Sequence, residues 1–202
     1  MGKDMNDIES FWNEETILKY EKSMSVVITV LEKMDKAYFE KTKSHCIRFI
    51  EKRLKNTESV VQKLERKKRK NTNEKLEECI SDLAGVRVIC YDIEQIFMIA
   101  EKIAEIDAFE VLKTKDYIRK PKDNGYQSYH MILRVEGIKV ELQIRTILMD
   151  AWSSLDSILE YKKATPITNE MRNDIQKMAK WSSKMDKLMT KMIKQKRDCQ
   201  HS

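Results

Sequence analysis

Glycine and proline are scarce in this chain, at four and two in 202 residues. Neither a G-x-x-x-x-G-K-[ST] nor a G-x-G-x-x-G run is present, so phosphate binding cannot rest on a glycine-rich cradle. Cysteine is limited to Cys46, Cys79, Cys90 and Cys199. These show neither C-x-x-C spacing nor histidine partners at metal-ligand intervals, which predicts free thiols in a reducing compartment. Long apolar runs are missing too, and Met1-Gly2-Lys3-Asp4 leads into polar sequence rather than a signal core. The expectation is a soluble cytoplasmic protein that uses no membrane.

Charge, in contrast, is abundant. Charged residues make up 36% of the chain, and 39 Lys+Arg against 33 Asp+Glu leave a net +6. A mixed, moderately basic surface suits phosphate-bearing partners. With 41% hydrophobic residues, the chain is long enough for one sizeable core and short for two.

Between about Asp7 and Lys52, Ile17, Tyr20, Met24, Val27, Val30, Leu31 and Met34 recur at spacings of three and four, followed by Tyr38, Phe39, Cys46, Phe49 and Ile50. This predicts two helices, or one long helix broken near Lys41 to Ser44. Asn56-Thr57-Glu58-Ser59 offers a further helix start, a Lys/Arg-rich run from Lys63 to Lys75 closes that helix, and Leu76 to Leu83 adds a short one. From Ala84 to Tyr91 the β-branched content predicts a central strand. Ile93 to Ile106 reads as helix and Phe109 to Tyr117 as strand, a β-α-β unit. Tyr126 to Val135 and Ile138 to Thr146 read as strands joined at Glu136-Gly137. Leu148 to Tyr161 reads as helix, Pro166 interrupts, and a last helix runs from about Asn169 to Lys194. On it Met171, Met178, Met185 and Met192 fall at seven-residue spacing with Trp181 and Leu188 between them. Such a stripe suits either intrachain packing or an oligomer interface.

The segment from Lys115 to His130 gathers cations, hydrogen-bonding groups and three tyrosines around Pro121 and Asn124-Gly125. Those breakers predict a strand end, a loop and a new strand, which together can hold a nucleotide. In the following strand, period two places Glu141, Gln143 and Arg145 on one face, opposite Val140, Leu142 and Ile144. Tyr126, Ser128 and His130 likewise alternate with Gln127, Tyr129 and Met131. Asp82, just before the central strand, is positioned to meet Glu141, and two converging carboxylates are what Mg²⁺ on nucleotide phosphates requires. Upstream, Ser59, Lys63 and Arg66 share a helical face near Arg53 and Lys55, a ready anion site.

Four ordered segments are similar to the small alarmone synthetases of the RelA/SpoT family. They are Arg53-x-Lys55-x-x-x-Ser59; Asp82-Leu83-Ala84-Gly85-Val86-Arg87-Val88; Lys115-Asp116-Tyr117-Ile118 through Tyr126-Gln127-Ser128-Tyr129-His130; and Glu141-Leu142-Gln143-Ile144-Arg145-Thr146. The resemblance implies an α+β fold, a nucleotidyltransferase-like mixed sheet flanked by helices. It implies one synthetase domain over 1–202, with N-terminal helices in 1–52, a catalytic core in 53–162 and a C-terminal helix in 166–197. The implied reaction is transfer of the ATP pyrophosphoryl group to the 3′-hydroxyl of GDP or GTP, releasing AMP. By matched position, Arg53, Lys55, Ser59, Lys63 and Arg66 would hold ATP phosphates, and Arg87 would stack near the adenine. Asp82 and Glu141 would bind Mg²⁺, with Glu141 also the base. Lys115, Lys122, Asn124, Tyr126, His130 and Gln143 would form the acceptor site, the Tyr126 ring stacking on guanine.

Partners implied are ATP, GDP or GTP, and further copies of the chain, as a tetramer. Some small relatives instead pyrophosphorylate the 3′ end of tRNA, and Lys67-Lys68-Arg69-Lys70 with Lys75 would then carry the RNA backbone. A third alternative is a weakly catalytic nucleotide or RNA binder. The chain departs from the family at Asp156-Ser157, where many relatives have a Glu-His pair. It also lacks the length for hydrolase and regulatory domains, so synthesis without degradation is expected.

Overall fold

Tyr20, Met24, Val27 and Leu31 form one apolar stripe at helical spacing, and all four are buried. The helix through them, α1, spans Glu14–Thr42 in the computed structural model, which describes residues 12–60, 82–161 and 167–200. Asn13 caps its start by accepting the Thr16 N–H at 2.9 Å. Lys43 closes it in the left-handed region, with φ 56°.

The expectation that helix would continue to Lys52 is corrected here, because the segment after Ser44 is strand β1, Ile47–Leu54. Its apolar residues Ile47, Ile50 and Leu54 have helical spacing, but the backbone pairs antiparallel with strand β2, Ala84–Cys90. Sheet pairing overrode a short local pattern. Helix α2 (Ile93–Ala104) follows, opened by an Asp92/Gln95 capping box. Strands β3 (Phe109–Asp116), β4 (Tyr129–Val135) and β5 (Ile138–Thr146) complete the sheet. Strand β4 starts three residues later than the alternation at Tyr126 suggested. Its turn to β5 has both central residues at positive φ, Glu136 at 49° and Gly137 at 82°, as a two-residue hairpin loop requires.

The five strands lie in the order β1-β2-β5-β4-β3, with β2 and β5 parallel and the other neighbours antiparallel. The β-α-β passage therefore carries β3 past two positions that β5 and β4 fill. One sheet face presents Val86, Val88, Met131, Leu133, Val140, Leu142 and Ile144, buried with α1 and α2 residues in the main core. The opposite face carries the polar residues described below.

Helix α3 (Ile147–Tyr161) leaves β5 directly, with the Thr146 hydroxyl accepting the Met149 N–H at 3.1 Å. Helix α4 spans Asn169–Gln200, longer than its apolar pattern indicated. Ile175 and Ala179 of α4 pack on Trp152 of α3, and the Trp152 indole donates to the Ile175 carbonyl at 3.0 Å. The stripe Met171, Met178, Trp181, Met185, Leu188 and Met192 faces away from these contacts, 39% to 60% exposed. Packing among the described residues does not cover it. None of the described helices is long and apolar enough to cross a membrane. Cys46 and Cys90 are buried free thiols and Cys199 an exposed one.

Candidate active site

Residues directly opposite one another in a sheet project from the same face, so strand register shows which side chains meet. One row across the sheet reads Glu51, Arg87, Gln143, His130 and Lys115, one residue from each strand. The next row reads Arg53, Gly85, Glu141 and Ile132. Glu141 thus sits diagonally from His130, within reach of a side-chain bond. At Gly85, between Arg53 and Glu141, no side chain fills the floor. A cleft over this floor is lined by Arg53, Lys55, Asp82, Arg87, Glu141 and Gln143.

Backbone pairing beyond the ends of β1 and β2 places the second carboxylate. The Lys55 N–H donates to the Leu83 carbonyl at 2.9 Å, and Lys55 Nζ donates to Asp82 Oδ2 at 2.7 Å. Asp82 and Glu141 line the same cleft, and the charge of Asp82 acts on Glu141, raising its pKa. Burial also pushes the Glu141 carboxyl up, yet the His130 and Gln143 hydrogen bonds outweigh both and hold it below its ordinary value. Glu141 is therefore ionised at neutral pH. Among the described residues no group of three or more metal-ligating side chains occurs. Two hard oxygen donors in one cleft nevertheless fit Mg²⁺, which takes one or two carboxylates and completes its shell with substrate phosphates and water.

Both oxygens of Glu141 are held. His130 Nδ1 lies 3.0 Å from Oε1, and Gln143 Nε2 donates to Oε2 at 2.9 Å. His130 Nε2 is 2.8 Å from the Tyr126 hydroxyl, which in turn accepts from Arg145 Nη2 at 2.7 Å. Arg145 Nη2 donates to Gln143 Oε1 as well, at 3.1 Å. Arg145 was read only as one polar residue on a strand face. It is 4% exposed and is held further by Asp150 at 3.2 Å and Ser128 at 3.4 Å. Period two gave its face; its bond to Asp150 on α3 depends on how that helix lies against the strand, a tertiary contact that no local pattern predicts.

The loop between β3 and β4 is tied at its base and folded on itself. The Tyr117 N–H donates to the Ser128 carbonyl at 3.0 Å, and the Gly125 N–H to the Lys122 carbonyl at 2.8 Å. Gly125 has φ +92°, and a Cβ there would stand 2.5 Å from that of Ala179 on α4. Glycine is needed for both reasons. Asn124 donates to Asp156 on α3 at 3.2 Å, so the acidic residue at the family departure anchors this loop. The Tyr126 ring meets Tyr117, His130 and Trp152 edge-on at 5.8, 5.8 and 6.4 Å. Lys122 Nζ lies 4.7 Å from the Tyr126 centroid and 5.0 Å from that of Tyr117.

Of the expected site residues, Lys55, Asp82, Arg53, Arg87, Glu141 and Gln143 share the cleft, while His130 and Tyr126 join it through bonds. Arg87 is pinned by Glu51 at 2.9 Å and Asp150 at 3.6 Å. Lys115 is exposed beside His130 at the far end of the row. Ser59 lies in the turn that Asn56 caps, where the Ser59 N–H donates to Asn56 Oδ1 at 2.9 Å. Lys63, Arg66 and the basic run from Lys67 to Lys75 lie outside the described residues. Tyr117, Arg145, Asp150 and Trp152 were not among the candidates.

Residues 52–166 match the region found in RelA / SpoT proteins. The chain is 32% identical over 194 residues to the GTP pyrophosphokinase YwaC of Bacillus subtilis, covering 92% of each chain. It is 30% identical over 154 residues to a second enzyme of that organism, the GTP pyrophosphokinase YjbM, covering 72% of each. Among solved structures it resembles small alarmone synthetase 2 of B. subtilis, with TM-score 0.80 and 30% identity over 91% of this chain and 98% of that one. It also resembles small alarmone synthetase 1 bound to its product pppGpp, with TM-score 0.77 and 25% identity over 90% and 96%.

Proposed function

The chain belongs to the RelA/SpoT family, and from that premise we propose that it is a (p)ppGpp synthetase acting through Glu141. It transfers the pyrophosphoryl group of ATP to the ribose 3′-hydroxyl of GDP or GTP. The observation that carries this reading is Glu141 itself, an ionised carboxylate held by two donors and facing a cleft of cations. Glu141 takes the 3′-hydroxyl proton while the oxygen forms a bond to the β-phosphorus. The bond from that phosphorus to the α,β-bridging oxygen breaks, and AMP leaves with the electron pair. Atoms and charge balance without a redox partner. Such a reaction needs in-line placement and charge neutralisation more than covalent help.

Arg53, Lys55 and Ser59 would grip the ATP phosphates, joined by Lys63 and Arg66. Arg87, its guanidinium held through Nη1 by Glu51 and Asp150, offers a flat face for adenine. Asp82 and Glu141 would hold Mg²⁺, which neutralises the phosphate charge and helps align the groups. On the acceptor side Tyr126 supplies an aromatic ring for guanine. Lys122 now lies over that ring; its exposed, flexible stem lets it turn to the acceptor phosphates, and Lys115, beside His130, adds a second cation. The exposed α4 stripe is read as the contact between copies, giving a cytoplasmic homo-oligomer that includes the tetramer as one state.

Purified protein given β,γ-labelled ATP and Mg²⁺, with GDP, GTP or tRNA in parallel, should place label on a guanine nucleotide. The Glu141→Gln variant should fold normally and lose about 10²–10⁴-fold in kcat, the contribution of a positioned base. Label on tRNA alone, or near-normal turnover by the variant, overturns the reading.

A further inference from the structure

A guanidinium only donates hydrogen bonds, and each terminal nitrogen carries two N–H groups. On Arg145 Nη2 these two point at two acceptors, the Tyr126 hydroxyl at 2.7 Å and Gln143 Oε1 at 3.1 Å. Everything downstream then acquires a direction. Tyr126 Oη accepts from Arg145, which leaves its own proton free to be donated to His130 Nε2, 2.8 Å away. His130 consequently carries its proton on Nδ1 and donates to Glu141 Oε1 at 3.0 Å. With its carbonyl oxygen fixed by Arg145, the Gln143 amide turns its NH₂ to Glu141 Oε2 at 2.9 Å. Two arms leave one nitrogen and converge on the two oxygens of one carboxylate.

We propose that Arg145 is a positioning residue for the transfer, which through Tyr126–His130 and through Gln143 fixes the orientation of both oxygens of Glu141. The inference rests on Glu141 being the base. Arg145 meets the demands of that task. It is 4% exposed, its charge is balanced by Asp150 at 3.2 Å, and its Nε donates to Ser128 at 3.4 Å. A buried charge held by a carboxylate and hydrogen bonds is costly to move. Lysine cannot replace it, because an ammonium on a flexible stem lacks the planar fork that reaches Tyr126, Gln143, Asp150 and Ser128 at once. Tyr126 gains a second role from this geometry, its ring serving the acceptor base once Lys122 turns aside and its hydroxyl passing the direction set by Arg145.

The tautomer of His130 reads this directly, without turnover. Histidine occurs only at 45, 130 and 201, so the side-chain ¹⁵N signals of the whole protein are few and assignable by a His130→Gln control. Wild-type His130 is expected in the Nδ1–H form. Tyr126→Phe keeps the ring and cuts one arm. It should release His130 to the Nε2–H form and lower kcat about 10-fold, within the range seen when an orienting partner is lost, while KM for the acceptor changes less than twofold. Arg145→Lys should cut both arms and lower kcat further, by about 100-fold. An Nε2–H tautomer in the wild type, or Tyr126→Phe with unchanged tautomer and kcat, overturns the inference even if Glu141→Gln is inactive. Normal turnover by Glu141→Gln overturns the base assignment, and the inference with it.

Discussion

The two halves of the cleft are built differently. Around the acceptor loop, side chains are already bonded to one another: Glu141 to His130 and Gln143, Tyr126 to Arg145, Asn124 to Asp156. Around the phosphate side, Arg53 is exposed on β1 and Lys55 pairs with Asp82 at 2.7 Å. One half is a network in fixed geometry, the other chiefly a concentration of charge. The difference follows from what each half has to recognise. A base and a reacting hydroxyl demand direction, which buried hydrogen bonds supply. A triphosphate demands neutralisation, which depends less on angle and is screened by salt.

If that contrast is right, substitutions on the network side should be large, specific to the acceptor and insensitive to salt. Tyr126→Ala removes both ring and hydroxyl. Loss of base stacking, worth about 1–3 kcal/mol, should raise KM for GDP or GTP by about 10–100-fold, with KM for ATP little changed. An equal rise in both would erase the distinction. Gly125→Ala tests the loop without touching a recognition group. The new Cβ, at φ +92° and 2.5 Å from that of Ala179, forces the loop off α4. Strain of about 1–3 kcal/mol should weaken acceptor binding roughly 10-fold, and unchanged acceptor KM would show that α4 does not shape the site. On the charge side Arg53→Ala should raise KM for ATP only about fivefold, the equivalent of 1 kcal/mol. That effect should shrink as salt is added, whereas the Gly125→Ala effect should persist.

The same division governs what could be read before the structure was known. Glu141, Gln143 and Arg145 alternate along one strand, so their common face was visible from period two alone. The direction of their bonds was not, because it depends on His130 and Tyr126 arriving from β4 and its preceding loop in one particular register. The family resemblance supplied the reaction, which spacing could not. Strand β1 was misread as helix because Ile47, Ile50 and Leu54 repeat at three and four, and its pairing with β2 is a contact across the intervening chain. Asp156 was legible as the acidic side chain kept where Asp156-Ser157 stands for a Glu-His pair, but its bond to Asn124 required α3 to lie beside the loop. The α4 stripe was seen as apolar, while the face that binds the body, through Ile175 and Ala179, carries the weaker pattern.

The smallest effect should come from the point where α4 meets the sheet, and it concerns stability more than chemistry. Asp186 is fully buried; its Oδ2 accepts from the Thr146 hydroxyl at 2.9 Å, and its Oδ1 has no hydrogen-bond partner among the described residues. Burial pushes this carboxyl from 3.8 up to about 6, against the opposing pull of the Thr146 bond. The folded state thus holds the Asp186 proton more tightly than the unfolded chain does. Its contribution to stability is complete below 3.8 and is lost as pH rises through about 6. Asp186→Asn keeps an acceptor for Thr146 and cannot ionise. It should flatten the pH dependence of unfolding across that window and raise stability at neutral pH by about 1–3 kcal/mol, a few degrees in Tm. Calorimetry of both proteins across the window checks this; parallel curves would show that Asp186 does not titrate there. Since α4 touches the loop at Gly125, any kinetic change should fall on the acceptor and leave KM for ATP as it was.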